Sequence, residues 1–193
     1  METLYDGDTF ELNGLTFRVK FESDYYSGAP WERCDGHGAV RKSYQRHRDG
    51  ESDKKPGERP LNQAGHRDRQ FYYDWAAACK DARRDGWNAE PYDAPNRIAR
   101  AVEADFQFLS AFINNDWHYV GVIVELLDDD GEVLSDTSLW GVETWKDNHC
   151  EVAHDLAREL SAQHDAEQEQ TAVESFEAHY WATRDVVTLG AGV

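Results

Sequence analysis

An α+β fold is predicted by three features of the chain: alternation of apolar and polar residues around Asn13-Gly14, an apolar strand running into the acidic turn Asp128-Asp-Asp-Gly131, and helical spacing of apolar residues before and after that strand. The expected architecture is two β-hairpins forming an antiparallel sheet packed with three to four helices, in the order ββ, loop, αα, ββ, αα.

The first hairpin runs through Thr9-Phe-Glu-Leu12, turns at Asn13-Gly14 and returns through Leu15 to Glu22. Leu15, Phe17, Val19 and Phe21 share one face, and Asn-Gly suits the left-handed conformations of a two-residue turn. Residues 23–70 then lose periodicity and are expected to form one long irregular loop, rich in Gly, Ser, Asp and Arg and anchored by Trp31 and Tyr44. Helical character starts near Tyr73 and stops at Gly86. A second helix follows Pro95, with Ile98, Val102, Phe106, Leu109 and Ile113 on one stripe, and ends near Asn114-Asn115.

The second hairpin is apolar on both faces of its first strand. His118, Val120, Val122, Val124 and Leu126 alternate with Trp117, Tyr119, Gly121 and Ile123, which predicts a central position in the sheet; the return strand spans Val133 to Val142. Val152, Leu156 and Leu160 then form a helical ridge, whereas Ser161 to Thr171 have almost nothing to bury. Spacing resumes at Val173, Phe176, Tyr180 and Trp181, consistent with two helices or with one long helix that has a solvated middle. Residues 1–160 are thus expected to form a single domain, and residues 161–193 an acidic helical extension.

Charge narrows the possible functions. The 193 residues include 38 acidic and 20 basic side chains, a formal net charge of −18. Residues 101–193 hold 20 of the acids against Lys146, Arg158 and Arg184, so this half repels phosphate and attracts basic surfaces. Direct binding of nucleic acid is not expected, although Arg41 to Arg69 form a basic run interrupted by Asp49, Glu51, Asp53, Glu58 and Asp68. No apolar run has the length of a membrane span and Met1 to Asp8 lack a secretory pattern, which predicts a cytoplasmic location and no membrane partner. Three scattered cysteines, Cys34, Cys79 and Cys150, fit a reducing compartment.

The expected partner-binding residues are carboxylates. Asp147, Glu151, Asp155 and Glu159 recur every four residues, about 6 Å apart along a helix, and Asp128, Asp129 and Asp130 at the hairpin turn extend the same charge. Such a row imitates phosphates and competes for a basic groove, while an ordinary solvated helix face has the same composition. Two clusters support an alternative, a small hydrolytic or metal-dependent enzyme: Cys34 with His37 in a glycine-bounded segment, and His149, Cys150 and His154 one helical turn apart. Neither cluster has the paired spacing of a known metal motif, and Walker, dinucleotide and Gly-x-Ser-x-Gly signatures are missing, so neither a cofactor nor a metal is expected.

Several stretches together resemble accessory proteins encoded by tailed bacteriophages and prophages, a group without an assigned activity. These are Gly28-Ala-Pro-Trp-Glu32, Asp35-Gly-His-Gly38, Lys55-Pro-Gly-Glu58, Arg69-Gln-Phe-Tyr72, Arg84-Asp-Gly-Trp87, Asp116-Trp-His-Tyr-Val-Gly-Val122 and Ser138-Leu-Trp-Gly-Val-Glu143, which touch most of residues 17–160. The resemblance transfers no functional residue. It implies a setting, the cytoplasm of an infected bacterium, where such proteins inhibit or evade host machinery. With the charge, the expectation is a non-enzymatic protein that binds a basic, nucleic-acid-handling host or phage protein. In its most specific form it is a DNA mimic against a CRISPR or restriction effector; a homodimer is compatible with it.

Overall fold

The computed structural model describes residues 3–33, 36–43, 53–62, 70–87 and 95–189, with side chains described as far as residue 181. The fold is α+β. Its elements are β1 (Thr9–Leu12), β2 (Leu15–Ser23), β3 (Val40–Ser43), β4 (Glu58–Pro60), β5 (Gln70–Asp74), α1 (Trp75–Asp85), α2 (Arg97–Ile113), β6 (Tyr119–Leu127), β7 (Val133–Glu143) and α3 (Asn148–Leu189). The chain divides into two compact units, the first made of residues 1–22, 120–142 and 147–193 and the second of residues 23–119 and 143–146.

The first unit contains the sheet β1-β2-β6-β7, built from the two expected hairpins. β1 and β2 are antiparallel with Phe10 opposite Phe17 and Leu12 opposite Leu15. Asn13 and Gly14 both take positive φ, 54° and 80°, as a two-residue turn matching the strand twist requires. β6 is central, and Val120, Val122, Val124 and Leu126 are buried with Phe17 and Val19. α3 closes this core with Cys150, Ala153, Ala157 and Leu160. The two alanines let the helix approach the sheet closely, and each fully buried Leu or Phe contributes about 1.5–3 kcal/mol. Away from that core, Glu125 sits 2.6 Å from Arg18 and 2.5 Å from Lys20. Hydrogen bonding from Lys20, then from Arg18, outweighs burial and lowers the Glu125 pKa.

The second unit contains the antiparallel sheet β3-β5-β4 with α1 and α2. Leu61, Tyr73, Ala78, Ala82, Val102 and Leu109 form its core. The Asp74 side chain accepts a hydrogen bond from the Ala77 backbone N–H at 2.9 Å and caps α1, which ends at Gly86 with φ 71°. The predicted stripe of α2 is present, with Val102 and Leu109 fully buried and Ile98, Phe106 and Ile113 packed around them.

One expectation is corrected, and of the two alternatives for the C-terminal region the single long helix is the one observed. Residues 23–70 are not one irregular loop: they include a 3-10 turn at Pro30–Glu32 together with β3, β4 and the first residue of β5. These strands are three to five residues long and carry Arg41, Lys42, Glu58 and Arg59, so no apolar alternation marks them. Pairing with β5 sets their register. The C-terminal region is one continuous helix of 42 residues. No helix among the described residues is long and apolar enough to cross a membrane.

Candidate functional site

The carboxylate row predicted from the sequence lies on α3 and the turn before it. Glu151, Asp155 and Glu159 are exposed, on the helix face opposite to Cys150, Ala153, Ala157 and Leu160. Asp147 is also exposed and stands at φ 60° just before the helix. Asp155 is paired with Arg158, its neighbour one turn on. The three acids of the β6–β7 turn differ in role. Asp128 accepts hydrogen bonds from the backbone N–H groups of Asp130 and Glu132 and so builds the turn, whereas Asp129 and Asp130 are exposed.

Between Ala162 and Trp181 no side chain of the helix is buried. From Ala162 to Trp181 every residue is exposed except His164, which is half-buried. About 28 residues of α3, or ~42 Å, follow Ser161, the last buried residue among those whose side chains are described. Up to Trp181 this part carries Asp165, Glu167, Glu169, Glu174 and Glu177. It also carries Val173, Phe176, Tyr180 and Trp181, all exposed, with Phe176 at 70%. Val173, Phe176 and Tyr180 are spaced three and four apart and share a face, and the Phe176 and Tyr180 rings stack at 6.5 Å. Large apolar side chains normally leave water, and here four of them are exposed on an acidic helix.

The second unit holds a polar constellation centred on Asp105 of α2. One carboxylate oxygen lies 2.6 Å from His37 Nδ1; the other accepts the Gly38 N–H at 2.8 Å and the Tyr73 hydroxyl at 2.7 Å. The His37 ring lies nearly parallel to Phe108, 5.3 Å between centroids. Burial first, and the Asp105 charge second, raise the Tyr73 pKa far above its ordinary value, so the phenol stays a donor. Gly38 is required where it stands, because a Cβ there would lie 2.5 Å from the Tyr73 ring. A carboxylate-oriented imidazole is the arrangement a general base needs. It is equally a latch joining the His37 segment to β5 and α2. Cys34, the nucleophile expected beside His37, lies outside the described residues. Sequence reading found His37 but missed Asp105 and Tyr73, which are 68 and 36 positions away.

The other cluster does not converge. Cys150 Sγ faces the Leu4 backbone and lies 3.6 Å from His149 Nε2, while the His154 ring meets Phe10 edge-on at 4.9 Å. Among the described residues no group of three or more metal-ligating side chains is gathered.

Three cations of the basic run are paired internally. Arg41 holds Glu58 at 2.7 Å and Asp53 at 3.0 Å, Lys42 holds Glu32 at 2.8 Å, and Arg59 holds Glu103 at 2.9 Å. Arg46 to Arg48 and His66 to Arg69 lie outside the described residues. Beside Lys42 a cleft of about 430 Å³ is walled by Trp31, Phe71, Phe112 and Trp117. The Trp31 ring, expected to anchor the 23–70 segment, is packed against Phe71 and Phe112 and is half-buried.

No protein-family model matches the chain, and neither a curated protein nor a solved structure does.

Proposed function

We propose that the protein is a non-enzymatic binding protein whose long helix α3 docks onto a basic surface of a protein that handles nucleic acid. One observation carries this reading: from Ala162 to Trp181 no side chain of α3 is buried and only His164 is half-buried, yet this stretch bears five carboxylates beside four exposed large apolar residues. The carboxylates steer a basic surface toward it, and Val173, Phe176, Tyr180 and Trp181 supply the apolar area that gives the contact affinity.

Charge density refines the class of partner. The row from Asp147 to Glu159 places one charge about every 6 Å, against 3.4 Å of rise per phosphate along one DNA strand. Such a row imitates a sparse phosphate track, suited to the basic channel of an enzyme that grips a strand through its backbone. In the setting that the phage resemblance implies, the partner is a CRISPR or restriction effector and the protein is its inhibitor, acting in the cytoplasm of an infected bacterium. Asp129, Asp130, Asp147, Glu151, Asp155 and Glu159 meet the basic groups of that channel.

Affinity purification from infected cells tests the reading. The full chain is expected to capture a basic nuclease or effector, with the complex weakening as salt rises. Replacing Glu151, Asp155 and Glu159 together by Lys is expected to abolish capture; retention of the same partner by that variant overturns the proposal.

A second reading has its own observation, the 2.6 Å contact between His37 and Asp105. It makes His37 the general base of a small hydrolase. That reading requires an activity lost in His37→Gln while the melting temperature holds; a fall in melting temperature with no activity at stake assigns the pair to the latch.

A further inference from the structure

β7 is the last strand of its sheet among the described residues, and from Val133 to Trp140 it lacks the Lys, the Pro or the shortness that usually protects an edge. It is 11 residues long, with no Lys and no Pro, and between Val133 and Val142 Asp136 is its only charge. The opposite edge, β1, is protected by being four residues short. Val133, Leu134, Leu139 and Trp140 on β7 are all exposed, Leu134 at 56% and Trp140 at 50%. The strand is thus a nearly uncharged apolar window in a half of the chain that holds 20 acids.

Trp140 is held in position. A Cβ at Gly121 would lie 2.6 Å from its ring, so the glycine lets the indole lie across β6. Gly141, at φ 75°, breaks the strand alternation, and Val142 reaches the core two residues after the exposed Trp140.

We infer that two copies of the chain pair antiparallel through β7, with Thr137 opposite its own counterpart, so that the two four-stranded sheets join into one of eight strands. Self-complementarity of the strand selects a second copy as the occupant. In a two-fold antiparallel pair each residue faces one of the same parity, so only registers centred on a residue are allowed. Centred on Asp136, the two carboxylates oppose each other directly, which is destabilising. Centred on Ser138, each Asp136 faces the Trp140 of the other copy. Centred on Thr137, Leu134 faces Trp140 twice, Asp136 faces Ser138 twice, and Thr137 faces Thr137. Only this last register gives Asp136 a hydroxyl opposite it, and it does so while setting Leu134 against Trp140, with Ser135 opposite Leu139.

The dimer is independent of the acidic-partner reading, and salt separates the two. Partner capture by carboxylates weakens with salt, whereas association of two chains of charge −18 strengthens as their repulsion is screened. Sedimentation of the full chain over a range of concentrations at low and high salt is expected to show a monomer–dimer equilibrium shifted toward dimer by salt. Leu134→Lys removes two cross-strand pairs and is expected to raise the dissociation constant about tenfold or more with the monomer's melting temperature unchanged. Thr137→Cys is expected to form a disulfide-linked dimer under mild oxidation, because directly opposed residues lie within disulfide reach; Ser138→Cys and the unsubstituted chain are not. A chain that stays monomeric at every concentration and salt, or a dimer that survives Leu134→Lys and does not cross-link through Thr137→Cys, overturns the inference.

Discussion

Single residues fix the second unit where three segments meet. Asp105 accepts hydrogen bonds from His37, Gly38 and Tyr73, and Gly38 admits the Tyr73 ring that reaches it. Gly38→Ala forces the ring to move and is expected to destabilise the protein by about 1–3 kcal/mol in urea unfolding. Asp105→Ala leaves the partly buried donors unmatched and is expected to lower stability by at least as much. These residues also mark a limit of sequence reading. His37 was visible in a cluster of reactive types, but nothing local ties it to Asp105, since only the folding of α2 against β5 brings them together.

A second residue-level group makes stability depend on pH. The Ser43 hydroxyl, and then Arg41, lower the Asp53 pKa from 3.8 to about 2, and Arg41 lowers that of Glu58. A carboxylate with a depressed folded-state pKa stabilises the fold above its ordinary value and loses that contribution as pH falls toward the folded one. Unfolding midpoints are therefore expected to drop as pH falls through 3.8 toward about 2, and Asp53→Asn to flatten that part of the profile.

At the scale of elements, α3 has two halves with different physics. Cys150, Ala153, Ala157 and Leu160 bind it to its sheet, while residues beyond Ser161 are held by helix propensity and a few side-chain pairs such as Gln170 with Glu174. Amide exchange is expected to be slow from Cys150 to Leu160 and fast beyond Ala162. Truncation after Asp165 is expected to leave the melting temperature nearly unchanged while abolishing partner capture. A large loss of stability in that truncation contradicts the division. Elements written in local pattern were legible in the sequence: Asn13-Gly14 named its turn, Gly86 its helix stop, and the Ile98 to Ile113 stripe its helix. β3, β4 and β5 were not, because strands of three to five residues, polar-rich in β3 and β4, form only by pairing across distances no local pattern records. The continuity of α3 was also ambiguous, since Ser161 to Thr171 offer helix formers without an apolar face.

Across the whole molecule, charge follows the structural units more closely than it follows the chain. The first unit has 21 acidic and four basic residues, a formal charge of −17, and the second has 17 and 16, a charge of −1. Residues 1–22 join the acidic unit, and segment 143–146, where Lys146 balances Glu143, joins the neutral one. Ion pairs such as Arg41 with Glu58 balance the second unit internally, while the first directs its excess to solvent along α3. The central claim is that this excess, together with Phe176, Tyr180 and Trp181, recruits a basic partner. Its most direct test is parallel affinity purification from infected cells with the unsubstituted chain, the Glu151, Asp155 and Glu159 to Lys variant, and the chain truncated after Asp165. The account predicts a basic nucleic-acid-handling protein captured by the first and absent from the other two; the same proteins recovered with all three would contradict it.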